Sequence, residues 1–294
     1  MSKKTDKSRL SLLVIIGFII FTVFSIIIFL PMVWAVFTSF KAKNDFDSNV
    51  FGLPKQWVTT NYEMAFKFFR VQGKNTNFVP VYIPEMLLNT FLYAGVGTLV
   101  CVICHYIVAY CTAKFPYKFS GFVYGLVLVV MVIPIIGDAA ARIQFVTTLG
   151  MFDNWLGFFF QRFGFTGMYF LVMHETIKAV PNSISEAAEI DGAGHFQIMW
   201  RIVLPQVLNM LGVVFLITFM GQWNEYQFAL MYMPSHPTLA YGLHSYNNSG
   251  FQEVSRSIPL KLTGCMFLFF PMLIIFIIFH DKMMGNLSMG GVKE

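Results

Sequence analysis

Few side chains in this sequence stand where a reaction would need them. Cys101 and Cys104 form a CxxC, the spacing of a redox pair or of half a zinc site, but both lie, with Cys111 and Cys265, inside apolar runs. A structural zinc needs four ligands and a disulfide framework needs an extracellular loop context, so the four thiols read as small apolar side chains on membrane helices, and no metal site is expected. Gly73-Lys74 has Phe68 where a phosphate-cradling loop needs its first glycine and Asn75 where it needs Ser or Thr. Gly95-Val96-Gly97 lacks the third glycine of a dinucleotide fingerprint, Val100 standing in its place, and no HExxH or GxSxG occurs. Asp138 and Arg142 are spaced i, i+4 and should pair with each other, while His105 reads as a packed, hydrogen-bonded residue within a span. The chain is therefore expected to hold no catalytic residue and no cofactor of its own.

The elements around these residues belong to a membrane. Of 294 residues 56% are apolar and 12% charged, against roughly 25% charged in soluble proteins. The net charge of +5 is modest, and with no basic tract beyond "SKKTDKSR" nucleic acid is not an expected partner. Six apolar segments, near 11–38, 84–112, 120–147, 162–180, 203–223 and 260–280, approach the roughly 20 helical residues that cross about 30 Å of hydrocarbon, so the expected fold is all-α, a polytopic bundle of six transmembrane helices. The first run is too long for a signal peptide and is read as a retained span. Pro31, Pro134 and Pro271 are expected to kink their helices, and Gly121/Gly125 form a weak GxxxG packing signal. Lys and Arg divide evenly between the two sides, but the N-terminal side has the shorter, denser segments; the rule for short loops puts both termini in the cytoplasm and the loop 41–83 outside.

One polar island interrupts this pattern: "SEAAEIDGAGHFQIMWRIVLPQ", residues 185–206. Ser183 followed by Glu186 reads as a capping box, so a helix should start at Ser183; Gly192 offers a left-handed stop, and Pro205 falls in the first turn of the fifth span. A helix of about two turns is not stable alone, since isolated helices need roughly 12–15 residues to be even marginal. On these grounds a docking surface of fixed length, 183–200, and a plain capped connector both remain open.

The spacing Glu186-Ala187-Ala188, Gly192, Ile202, Leu204-Pro205 resembles the EAA signature of permease subunits of binding-protein-dependent ABC importers. The runs "GQWNEYQFAL" from Gly221 and "PTLAYGL" from Pro237, and the glycine-rich ending, are similar to the carbohydrate-uptake branch, in particular its maltose-type six-span permeases; Gly291 departs from the alanine often found there, as does the long first outer loop. The resemblance implies a type I ABC importer permease fold spanning 1–294, multi-pass in a bacterial inner membrane. It further implies a coupling loop at 183–200 centred on Glu186, Ala187 and Gly192, and a cytoplasmic tail, 282–294, in which Gly290, Gly291, Val292 and Lys293 reach the ATPases. The partners it implies are a second permease in a heterodimer, two cytoplasmic ATPase subunits that bind ATP and Mg, and an extracytoplasmic sugar-binding protein delivering a carbohydrate. Trp223, Asn224, Tyr226 and Phe228 are candidate substrate-path residues, although an aromatic near a membrane interface also serves as an anchor. The alternatives are an ion-coupled secondary transporter, which would use intramembrane ionisable groups such as His174-Glu175 and usually internal repeats, and an intramembrane enzyme, for which Asp138 has no second membrane aspartate.

Overall fold

The computed structural model describes residues 12–72, 79–115, 117–133, 137–248, 254 and 257–284. The chain divides into two compact units, Met1–Phe68 with Asn247–Phe267, and Phe69–Tyr246 with Leu268–Glu294.

In the first unit, α1 (Leu12–Ser39) is the first span, continuous through Pro31, and its apolar side chains are exposed over nearly the whole length. Two short helices follow, α2 (Lys43–Ser48) and α3 (Thr60–Phe68). The last carbonyls of a helix lack intrahelical donors. Here the amide of buried Asn61 supplies them, donating to Ser39 O at 2.9 Å and Lys41 O at 2.7 Å, with Thr263 Oγ1 also donating to Ser39 O at 3.1 Å. Lys41 is fully buried and its ammonium donates to Asn49 O (2.7 Å) and Val50 O (3.1 Å), which folds the segment after α2 back on itself. Burial of Tyr62, against Phe40 and Phe267, pushes its phenol above the usual value near 10.

The second unit opens with an antiparallel pair, β1 (Arg70–Gln72) and β2 (Pro80–Tyr82), in the register Arg70↔Tyr82, the one departure from all-α among the described residues. The second span, α4 (Ile83–Lys114), runs through a π-helical turn at Leu92–Val96. After it come α5 (Lys118–Val132), α6 (Ala139–Thr148), α7 (Trp155–Gln161), α8 (Met168–Lys178), the island helix α9 (Asn182–Ile190) and α10 (His195–Asn224). The order ends with α11 (Gln227–Tyr232), α12 (Leu239–Asn247) and α13 (Ile258–Met284). The core of this unit is built from the facing sides of α4, α8 and α10, with Tyr106, Ala109, Phe170, Ile177, Val203 and Leu211 among its buried residues.

Among the described residues four helices are long and apolar enough to cross a membrane: α1, α4, α10 and α13. The third and fourth expected spans are not single rods. The segment 120–147 is divided between α5, about 22 Å long at 1.5 Å per residue, and α6. Ile133, which precedes a proline, takes φ −79°, ψ 113°, the extended conformation that a following proline ring imposes, and Gly137 turns with φ +83°. Pro134 itself lies outside the described residues. The segment 162–180 contains only the eleven residues of α8, because Gly167 at φ +128° ends the chain's approach from α7. The fifth span begins eight residues earlier than expected. Pro205 stands, as expected, in the first turn of the α-helical part, Leu204–Asn224, and the rod before it runs from His195 through a π-helical stretch, Ile198–Val203.

Candidate functional site

The island folds into a helix held by ties remote in sequence. It begins at Asn182, not Ser183; Pro181 occupies the N-cap at φ −60°, ψ 133°, and no side chain caps the helix, so the expected capping box is absent. The Asn182 side chain and the Val180 carbonyl are taken instead by Lys114, at the end of α4, whose ammonium donates to Val180 O at 2.5 Å and to Asn182 Oδ1 at 2.9 Å.

The C-terminal end follows the expectation in full. Gly192 has φ +83°; its N–H donates to Glu189 O at 3.0 Å and Ala193 N–H to Ala188 O at 2.9 Å, the paired bonds of a Schellman stop. Ala188 and Ala193 both pack on the core of the unit, giving the stop its apolar contact. Beyond it His195 Nδ1 lies 3.5 Å from Glu189 Oε1, and its ring stands edge-on to Phe115 with centroids 5.2 Å apart. Tyr106 donates from its buried hydroxyl to Met199 O at 2.5 Å.

The candidate residues therefore separate into two sets. Ala188, Ile202 and Leu204 are half-buried against the core and fix the island to α4 and α10, with Pro205 exposed beside them. Glu186, Ala187 and Gly192 face outward, and a Cβ added at Gly192 would meet nothing within 4 Å. Sequence reasoning missed the apolar members of the outward face: Ile190 is 86% exposed and Phe196 74%. Their signal was available, as two large apolar residues inside a polar connection. Between Asn182 and Gln197 the charged residues Glu186, Glu189 and Asp191 are all acidic. The face is thus apolar, acidic and rigid.

Among the described residues the four expected path residues each have their own surroundings. Trp223 is fully buried, its indole donating to Leu268 O at 3.2 Å between Phe91 and Phe219. Asn224 is exposed and bonds back to Met220 O. Tyr226 stacks on His244 at 4.4 Å between centroids, and Glu225 Oε1 accepts from Gln227 N and Phe228 N, capping α11. Phe228 joins Tyr93 and Phe158 around the Arg162 guanidinium, which lies 4.6–5.2 Å from the three ring centroids and donates to Tyr93 Oη at 2.7 Å. Asp138 and Arg142 form their expected ion pair. His105 is buried and bonded to Cys101 O at 2.8 Å, the packed arrangement expected of it. Gly290, Gly291, Val292 and Lys293 lie outside the described residues.

A family model described as "Binding-protein-dependent transport system inner membrane component" matches residues 7–287. The galactooligosaccharides transport system permease protein GanQ of Bacillus subtilis is 25% identical over 291 residues, covering 98% of each chain. The maltodextrin transport system permease protein MalD of Streptococcus pneumoniae is 27% identical over 272 residues, covering 92% of this chain and 91% of that one. Among solved structures, a chain in the crystal structure of a bacterial ABC transporter involved in the import of the acidic polysaccharide alginate superposes with a TM-score of 0.73 at 18% identity, over 91% of this chain and 95% of its own; at that identity the likeness shows the fold. The chain belongs to the family of inner-membrane components of binding-protein-dependent transport systems.

Proposed function

We propose that this chain is one of two permease subunits forming the membrane path of an ATP-driven importer for a sugar or oligosaccharide, and that the island helix is its docking point on a cytoplasmic ATPase. The carrying observation is the outward face of α9 and its exit: Glu186, Ala187, Ile190, Gly192 and Phe196 are exposed on a helix whose stop and anchoring contacts are complete. An exposed apolar cluster in a polar connection marks an interaction site. Its acidic charges suit a cleft with an apolar floor and a basic rim. A simple connector would have no use for so rigid a stop or for apolar side chains held away from its own core.

The carbohydrate class rests on the transport systems named for the relatives, galactooligosaccharides and maltodextrin among them. A second permease is supported by the exposed length of α1 and, separately, by an open apolar groove of about 800 Å³ along α4, α10 and α13, lined by Phe91, Leu99, Tyr106, Trp200, Leu208 and Phe279. In this reading an extracytoplasmic binding protein delivers the sugar, both termini and residues 183–200 face the cytoplasm, and the tail residues Gly290 to Lys293 approach the ATPases. ATP and Mg²⁺ bind on the ATPase subunits, whose closure displaces the island; α9 passes that displacement through its Schellman stop into α10, with which it is nearly continuous.

The test is copurification of the ATPase with Ile190→Asp and Glu186→Lys variants in membranes. Both changes are on an exposed face and should leave insertion intact while association falls at least about tenfold, the loss expected when an apolar anchor or a charge is reversed in a fitted interface. Full association in both variants would overturn the docking role.

A further inference from the structure

The island is continuous in sequence with α8 and α10, yet the side-chain ties at its entry run to neither. They run to the second span. Lys114, in the last turn of α4, holds Val180 O and Asn182 Oδ1 at the entry to the island helix. Phe115, the next residue, packs edge-on against His195 at the island's exit, and His195 in turn meets Glu189. Two turns earlier on the same helix, Tyr106 binds Met199 O and packs against Trp200. One helix end thus grips both ends of the island.

The other end of α4 is tied as firmly to the opposite side of the unit. Asn89 Nδ2 donates to Pro237 O at 3.1 Å, and Thr90 Oγ1 accepts from Leu239 N at 2.8 Å, joining α4 to the segment that leads into α12. Tyr93 accepts from Arg162, and Gly97 lies so close to Gln222 and Phe158 that an added Cβ would come within 2.8 Å of each. Between these two sets of ties α4 is helical throughout, about 48 Å at 1.5 Å per residue over its 32 residues. A helix is stiff along its axis, so a push on one end reaches the other.

We infer that the second span is a transmission rod linking the island to the Pro237–Leu239 segment, and that Lys114 is the positioning residue that engages it. The inference rests on the docking reading of the island, and it adds a path beside the two covalent neighbours, entered through Lys114. Lys114 itself makes no part of the outward face; its amine points to Val180 and Asn182. Removing the amine therefore leaves docking intact and disconnects the rod.

The experiment uses the assembled importer in nanodiscs, with a spin label at Leu88, an exposed position near the far end of α4, and ATP with Mg²⁺ as the probe. Lys114→Met keeps the aliphatic stem and removes the donors; Lys114→Arg restores donors. The expected result is unchanged ATPase copurification and basal hydrolysis in both variants, with the ATP-dependent change in label mobility at 88 lost in Lys114→Met and retained in Lys114→Arg. If Lys114→Met inserts poorly, Asn182→Ala, which removes one of the two acceptors, is expected to diminish the same signal. Retention of the full signal in Lys114→Met, or no ATP-dependent signal at 88 in the unaltered chain, overturns the rod. Loss of ATPase association in Lys114→Met also overturns it, because Lys114 would then act on docking. The docking reading fails on a separate result, full association of the Ile190→Asp variant.

Discussion

Gly192 separates what the island costs this chain from what it does for a partner. Its φ of +83° is the left-handed region, where an L side chain costs about 1–2 kcal/mol, and beyond its chain neighbours an added Cβ would meet nothing within 4 Å. Alanine and tryptophan at this position therefore face the same backbone strain, and neither meets a clash at its Cβ. Their local destabilisation should agree to within about 0.5 kcal/mol, the usual span of surface substitutions, and Asn, which tolerates the left-handed region, should cost less than either. The partner sees them differently: tryptophan adds a bicyclic ring to the outward face, alanine a methyl. Thermal unfolding in detergent is expected to give near-equal midpoints for Gly192→Ala and Gly192→Trp, while copurified ATPase is mostly kept by the first and lost by the second. Equal association in the two variants, or a midpoint for Gly192→Trp far below that of Gly192→Ala, would refute the argument from open space.

Arg162 is surrounded by three aromatic rings, and a desolvated cation–π contact is worth about 2 kcal/mol; Arg162→Met should lower the unfolding temperature measurably, and Phe228→Leu should lower it less, because two rings remain. Tyr62 has its phenol pKa raised by burial, so its contribution to stability is present below pH 10 and is lost as pH climbs through the raised value; Tyr62→Phe should flatten this alkaline loss in a pH series of unfolding temperatures. His195→Cys should react with a membrane-impermeant maleimide in inside-out vesicles and stay unlabelled in intact cells; labelling from outside would reverse the orientation.

The island was legible because its stop is local: a glycine at the end of a short alanine-containing helix needs no tertiary information. Its start was not. Ser183 and Glu186 have the spacing of a cap, but the entry is set by Pro181 and by Lys114, 68 residues before Asn182, and no window of sequence contains that bond. The third and fourth spans depart from the expectation because mean hydropathy runs across breaks of six residues, 133–138 and 162–167; Gly137 and Gly167, with positive φ, stand just before the helices resume. The fifth span starts earlier than the pattern suggested because the π-helical stretch before Pro205 is packed by Tyr106, which lies far outside the local sequence pattern. Ile190 and Phe196 escaped notice for a related reason: hydropathy says which residues are apolar, and only the fold says which of them are left uncovered.

Ile190 and Phe51 are equally exposed, each at 86%, one on the island and one in the loop 41–83. Single cysteines at these two positions, each carrying a photoactivatable crosslinker in the assembled importer, therefore compare equal accessibility at two sites. The expected result is a crosslink to the ATPase from position 190 and none from position 51. An ATPase crosslink from position 51, or its absence from position 190 while the ATPase copurifies, would contradict the docking role of the island.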